Sequence, residues 1–96
     1  MFQEELIEKC RSNDRRAQMH LYDAYCDAMY TIAMRYLKDA DDARDVAQEA
    51  FIKAFRNLDQ FRGEVTFGAW LKRIVINKSI DFLKARKEHL QSLDEG

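Results

Sequence analysis

One stretch of the chain carries aromatic, basic and amide side chains at intervals of three and four residues. The stretch is Trp70–Lys87, with the sequence WLKRIVINKSIDFLKARK. On a helix, such intervals bring side chains onto one face. An indole ring can stack on a base, guanidinium and ammonium groups bind phosphates, and an amide can hydrogen-bond a base edge. We call this face the basic strip, and its members are Trp70, Arg73, Asn77, Asp81 and Lys84.

The apolar residues of the same helix predict how it is held. At about 100° per residue they fall into two groups on nearly opposite sides. One group is Phe67, Leu71, Ile74, Val75 and Phe82, and the other is Ala69, Ile76, Ile80 and Leu83. We therefore expect the rest of the protein to enclose the helix on both sides and leave the basic strip free. The alternative is that Trp70 belongs to the core and the basic residues only keep the helix soluble. The strip alone does not separate these two interpretations.

The preceding helix carries a second unusual face. Its outward positions are acidic, amide and basic, yet Ile52 lies among them. A single exposed isoleucine is ordinary, but an apolar centre with a polar rim is also typical of a small protein-docking surface. We call this surface the docking patch, and it consists of Asp45, Gln48, Glu49, Ile52 and Arg56.

Composition limits the class of protein. The chain has 96 residues, 47% hydrophobic and 34% charged, with no proline and three glycines. These values indicate one small folded domain built from long helices. No apolar run is long enough to span a membrane, and the N-terminus lacks the apolar segment of a signal peptide. Cys10 and Cys26 stand apart from one another and from any metal-ligand motif, which favours a reducing, cytoplasmic setting without metal or cofactor.

Charge is divided unevenly along the chain. Residues 1–49 carry 7 basic and 11 acidic side chains, whereas residues 50–96 carry 9 basic and 6 acidic ones. Trp70–Lys87 alone holds six basic residues and one acidic residue. This division predicts two partners of different charge rather than one.

The periodicity predicts an all-α fold, a compact bundle of three long helices and one short N-terminal helix. The stretch SND at Ser12–Asp14 is expected to supply the N-cap of the second helix, and Thr66 that of the fourth, through side-chain oxygens. The inner face of the third helix contains Phe51 and Phe55, which we expect to anchor the core. The predicted helices are Gln3–Arg11, Asp14–Lys38, Asp41–Leu58 and Phe67–His89.

Two sequence motifs, one following the other in the chain, resemble those of a known family. DARDVAQEAFIKAFRNLDQFRG, followed by TFGAWLKRIVINKSIDFLKARK, is similar to conserved region 2 of bacterial sigma factors of the extracytoplasmic-function type. The resemblance runs from LIEKCRSND to Lys87, nearly the whole chain. It implies a region 2 domain at 1–90 and the start of an interdomain linker at 91–96. The second domain of such factors, which binds the minus-thirty-five element, is absent from this chain.

The resemblance also implies a protein partner. In the family, the motif matched here by Asp45, Gln48 and Glu49 docks on the clamp helices of the RNA polymerase β′ subunit. These residues lie within the docking patch, so Ile52 and Arg56 are assigned to the same contact. An anti-sigma factor that masks this surface is a further expected partner.

The resemblance assigns DNA contacts to the loop and the basic strip. The loop Asp59–Thr66, with Phe61 and Arg62, is expected to line a pocket for a base flipped out of the promoter minus-ten element. The motif of the last helix implies contact with the non-template strand. Its residues are Trp70, Arg73 and Asn77, to which the basic strip adds Lys84 as a phosphate contact.

The function implied is that of a transcription initiation factor domain that binds RNA polymerase core and helps open the minus-ten element. The main alternative is a helical adaptor whose basic strip binds an acidic protein. An enzyme is the weakest interpretation, because no phosphate-binding glycine loop, metal cluster or nucleophile–base pair is visible in the sequence.

Overall fold

The computed structural model describes the backbone of residues 2–95 and the side chains of residues 3–94. Over this range the chain is all-α, as predicted, with three long helices and one short one. A 3₁₀ turn at Leu58–Gln60 follows the third helix. The helices are α1 (Phe2–Arg11), α2 (Arg15–Leu37), α3 (Ala40–Arg56) and α4 (Phe67–Glu95).

Short polar side chains begin the helices at the predicted places. Asp14 Oδ1 accepts hydrogen bonds from the amides of Arg16 and Ala17, at 3.0 and 3.2 Å. Thr66 Oγ1 accepts from the amide of Ala69 at 3.2 Å. Each satisfies amides that the first helical turn leaves without a partner, so both predicted caps are confirmed.

The core lies where α2, α3 and α4 meet, and α1 packs against α2 and the 3₁₀ turn. Phe51 on α3 is 3% exposed and lies 4.7 Å, between ring centroids, from Tyr22 on α2. Phe55 is partly buried against the same core, with its ring centroid 6.1 Å from that of Phe51. The predicted anchoring position of Phe51 is confirmed.

The bundle does not enclose α4 on two opposite sides, and that expectation is wrong. One side is buried along the line Phe67, Leu71, Val75 and Ser79. The opposite apolar group is largely open to solvent: Ile80 and Leu83 are each 37% exposed and Ala69 is exposed. The reason is that α2 and α3 approach the same broad side of α4. Apolar residues on two sides of a helix therefore do not require two covering neighbours.

The last helix is longer than predicted. The expected end at His89 is wrong, because α4 continues to Glu95. Every described side chain from Lys84 to Asp94 is exposed, so this part of the helix has no buried face. It consists mainly of good helix formers without glycine or proline, and helical propensity does not need a buried face. The assignment of residues 91–96 to a linker stays a prediction, and Gly96 lies outside the described residues.

Both cysteines are free thiols. Cys10 is buried in the core, where burial and then the nearby Asp14 carboxylate raise the pKa of its thiol above the ordinary value of 9.0. The thiol is therefore protonated at neutral pH and packs as a small apolar group. Within residues 2–95 no helix is long and apolar enough to cross a membrane.

Candidate nucleic-acid and polymerase interfaces

The basic strip follows one continuous helix. Arg73, Asn77, Asp81 and Lys84 are exposed, and Trp70 is half-buried at the end nearest the loop. At about 1.5 Å per residue, the strip from Arg73 to Lys84 spans roughly 16 Å. That length is about five nucleotide steps at 3.4 Å each. Because α4 is unbroken here, the side chains keep a fixed order and spacing along this line.

Trp70 joins the basic strip to an aromatic cluster beneath the loop. Its ring centroid lies 5.2 Å from that of Phe61 and 5.8 Å from that of Phe67. Phe67 in turn lies 5.5 Å from Tyr25 on α2. These distances are typical of favourable tilted aromatic pairs. Trp70 therefore packs against the core and stays partly accessible to solvent.

Phe61 is largely buried at the base of the loop. It is only 7% exposed and makes an edge-on contact with Phe67, with centroids 5.8 Å apart. A ring buried in this way supports the loop from below, and it also lines the cleft between the loop and α1. The assignment of Phe61 as a DNA contact stays a prediction. Arg62, the next residue, is exposed.

The loop adopts a turn that the sequence explains. Gly63 has φ +76°, in the left-handed region that residues with a β-carbon rarely adopt. The loop and α1 form the two sides of an open cleft of about 680 Å³. Residues that line this cleft include Glu4, Ile7, Arg11, Phe61, Arg62 and Gly63.

Arg11 ties α1 to the loop, a contact that the sequence analysis missed. Its Nε donates to the carbonyl oxygen of Leu58 at 3.1 Å, and its Nη2 donates to the carbonyl oxygen of Phe61. These acceptors lie 47 and 50 residues later in the chain. No local pattern relates residues so far apart, so only the folded structure reveals the contact.

The docking patch is a surface of α3, as predicted. Ile52 is 50% exposed, and all the other patch residues are exposed. Beside Ile52 lies an open groove of about 440 Å³, which also contains Lys78 from α4. Lys78 was not predicted, because its position on the helical wheel is on the core side. Its half-buried position is typical of a lysine whose apolar stem packs while its ammonium group reaches water.

One basic residue of the last helix has a structural contact. Arg86 Nη1 lies 3.5 Å from Asp42 Oδ2 near the start of α3, and its guanidinium lies 5.6 Å from the ring centroid of Phe82. Arg86 therefore joins α4 to α3. It lies on the side of the helix away from the basic strip, so it is not assigned to DNA.

Comparison with known proteins identifies the family. Residues 21–89, from α2 through most of α4, match the family model for sigma-70 region 2. The chain belongs to the sigma-70 region 2 family. The predicted resemblance is thereby confirmed, and the basic strip, the loop and the docking patch all lie within the matched part. Members of this family are transcription initiation factors.

Three relatives show how this region 2 domain compares with longer proteins. It is 43% identical over 83 residues to the RNA polymerase sigma-H factor of Pseudomonas aeruginosa, covering 86% of this chain and 43% of that protein. It is 38% identical over 89 residues to the ECF RNA polymerase sigma-E factor of Escherichia coli, covering 93% of this chain and 46% of that protein. It is 37% identical over 81 residues to the ECF RNA polymerase sigma factor SigW of Bacillus subtilis, covering 84% of this chain and 43% of that protein. The chain thus spans less than half the length of these relatives.

A solved structure has the same fold. It is an NMR structure of an engineered region 2 of sigmaE in complex with GTAAAA, with a TM-score of 0.81 and 36% sequence identity. The similarity covers 88% of this chain and 88% of the other.

Proposed function

We propose that this region 2 domain binds the core of RNA polymerase and recognises and helps open the promoter minus-ten element. The observation that carries the proposal is the contact between Phe61 and Trp70, whose ring centroids lie 5.2 Å apart. It joins the loop and the basic strip into one surface that can bind a single strand. The similar sigmaE domain, which binds GTAAAA, supports a hexameric minus-ten strand as the ligand.

The physical argument for strand opening rests on the groups along this surface. Arg73 and Lys84 supply positive charge for phosphates, and the amide of Asn77 can donate to or accept from a base edge. A base that enters the cleft beside the loop leaves the duplex stack, and its capture shifts the equilibrium towards separated strands. This chain makes and breaks no covalent bond in the proposal, because the polymerase carries out the synthesis.

The proposed polymerase contact uses the docking patch. Ile52 provides an apolar centre, and the carboxylates of Asp45 and Glu49 provide a charged rim suited to a basic surface on the β′ clamp helices. An anti-sigma factor that covers Ile52 would block the same contact. This role places the protein in the bacterial cytoplasm, with the chromosome.

Binding to single-stranded hexamers tests the DNA proposal. We expect fluorescence anisotropy to show tighter binding of GTAAAA, or of a single-position variant of it, than of AAGATA, which has the same composition. Titrations at several salt concentrations should also show affinity that falls as salt rises. Equal affinity for every hexamer at every salt concentration would argue against sequence recognition.

A specific observation keeps the adaptor alternative in consideration. Ile80 and Leu83, beside the basic strip, are each 37% exposed, and exposed apolar residues near charged ones are also found at protein interfaces. An adaptor predicts that an acidic peptide competes with every hexamer equally. The transcription proposal predicts that the preferred hexamer resists such competition more strongly than AAGATA.

A further inference from the structure

We propose that Arg11 is a positioning residue that holds the loop Asp59–Thr66 in the shape that captures a base. The inference rests on the proposed function and adds α1 to the residues that determine promoter recognition. Arg11 itself is not assigned a contact with DNA.

Arg11 holds the start of the loop through two main-chain carbonyls. It is the last residue of α1, and its side chain reaches Leu58 O and Phe61 O at the two ends of the 3₁₀ turn and its cap. Its third contact is with the carboxylate of Glu8, one turn earlier on α1. The side chain of Arg11 is 30% exposed, so water competes only partly for these bonds. Three acceptors around one guanidinium favour this arrangement of the side chain.

The chemistry of these contacts requires arginine. A guanidinium is a planar fork that can donate to two acceptors at once in a fixed geometry. Leu58 O also accepts a hydrogen bond from the amide of Phe61 at 3.1 Å, so Arg11 is its second donor. The carbonyl oxygen of Phe61 accepts from Arg11 as well. A lysine ammonium carries the same charge as a compact point on a flexible stem, so it cannot reproduce the fork.

The remainder of the loop depends on how its ends are fixed. Within the described part of the chain, no backbone hydrogen bond holds Arg62–Val65. The far end is fixed by Thr66, which caps α4. The near end is fixed by the buried ring of Phe61 and by Arg11, which holds the carbonyl of the same residue. Loss of Arg11 would leave that carbonyl without its partner and allow the peptide between Phe61 and Arg62 to rotate.

Rotation of this peptide would move Arg62 and Gly63 relative to α1, and both residues line the cleft beside Arg11. A captured base needs walls at a fixed separation, because stacking and hydrogen bonds depend on close contact. The inference therefore predicts a selective loss. Binding energy from the captured base should fall, whereas binding energy from phosphates along the basic strip should not.

An abasic scan of the preferred hexamer tests this. In each of six oligonucleotides, one base is replaced by an abasic sugar, and the affinity of the 96-residue chain is compared with that for the intact hexamer. In the parent protein, we expect removal of the captured base to lower affinity roughly tenfold, within the range for one stacked base. In Arg11→Ala and in Arg11→Lys, the same removal should lower affinity less than about threefold, because both variants lose the fork.

Two controls separate positioning from charge and from folding. Arg15→Ala removes an equal charge from an exposed position in the first turn of α2. In this variant, removal of the captured base should still lower affinity roughly tenfold, as in the parent protein. All titrations are made at a temperature where circular dichroism shows the variant to be folded. If Arg11→Ala does not fold, Arg11→Lys carries the test. The salt dependence of binding to the intact hexamer should be unchanged in both Arg11 variants.

Three results would overturn the inference. A roughly tenfold loss of affinity on removal of the captured base in both Arg11 variants would show that the loop keeps its shape without Arg11. Equal losses on intact and abasic hexamers, restored by lysine and accompanied by a smaller salt dependence, would show that Arg11 binds phosphate directly. A parent protein that is insensitive to every abasic position would overturn base capture itself, and the inference with it. Only this last result counts against the proposed function.

Discussion

The backbone of Gly68, in the first turn of α4, lies directly against the ring of Tyr25 on α2. A β-carbon at Gly68 would lie 3.0 Å from Tyr25 Cε1 and 3.6 Å from its hydroxyl oxygen. Tyr25 has little room to move, because its hydroxyl accepts a hydrogen bond from Gln3 at 2.5 Å and its ring packs against Phe67. Three helices meet at this point. The close approach explains a glycine where helix propensity alone would favour another residue.

Gly68→Ala should lower the free energy of unfolding by about 1 kcal/mol. Overpacking of a well-ordered contact typically costs about 1–3 kcal/mol, whereas the gain in helix propensity is at most about 1 kcal/mol. Chemical denaturation measures the difference. In a Tyr25→Leu background the crowding is removed, so the same substitution should become neutral or stabilising. An equal loss in both backgrounds would show that the ring of Tyr25 is not the cause.

Phe51→Ala should lower the free energy of unfolding by roughly 3–5 kcal/mol, since it removes a buried aromatic ring and leaves a cavity. The ring lost is the one that packs 4.7 Å from Tyr22. Ile52→Ala, at the exposed neighbouring position, is the matched control and should change stability by less than about half a kcal/mol. A melting temperature for Phe51→Ala within a degree or two of the parent would contradict the assigned register of α3.

The double variant Gln48→Ala, Ile52→Glu should bind RNA polymerase core more weakly at nearly unchanged thermal stability. Both residues are exposed, and a new carboxylate at the apolar centre of the docking patch would lose solvation on docking. Binding of labelled protein to purified core enzyme measures the effect. Asp23→Ala, an exposed change on α2, should leave the affinity unaltered. Unchanged affinity in the double variant would remove the docking patch from the proposed interface.

Lys84→Ala and Asn77→Ala should affect different properties of DNA binding: the first its salt dependence, the second its preference among sequences. Loss of Lys84 should weaken binding to all hexamers alike and reduce the slope of log affinity against log salt by roughly 0.7, the value for one phosphate of a single strand. Loss of Asn77 should change the preference among hexamers with little effect on the slope.

The control for the basic strip is Lys9→Ala, which removes an exposed ammonium group from α1. It should leave both the slope and the preference near the parent values. Parallel losses on every hexamer for Asn77→Ala would contradict its assignment to base edges.

Features that depend on neighbouring residues could be predicted from the sequence. Asp14 and Thr66 cap helices because their oxygens meet amides two or three residues later. The burial of Phe51 and the exposure of Ile52 follow from helical spacing on α3. The family resemblance rests on the same local order of residues, and it led to the correct family.

Features that depend on distant residues could not be predicted in this way. The second apolar side of α4 suggested a second covering neighbour, but the positions of α2 and α3 leave Ile80 and Leu83 partly exposed. The end of α4 was placed too early, because periodicity reports packing whereas a helix can continue on propensity alone. Phe61 is buried and Arg11 holds the loop because the fold brings α1, the 3₁₀ turn and α4 together. Hydrogen bonds and ring contacts between residues tens of positions apart leave no periodic trace in the chain, so only the tertiary structure decides them.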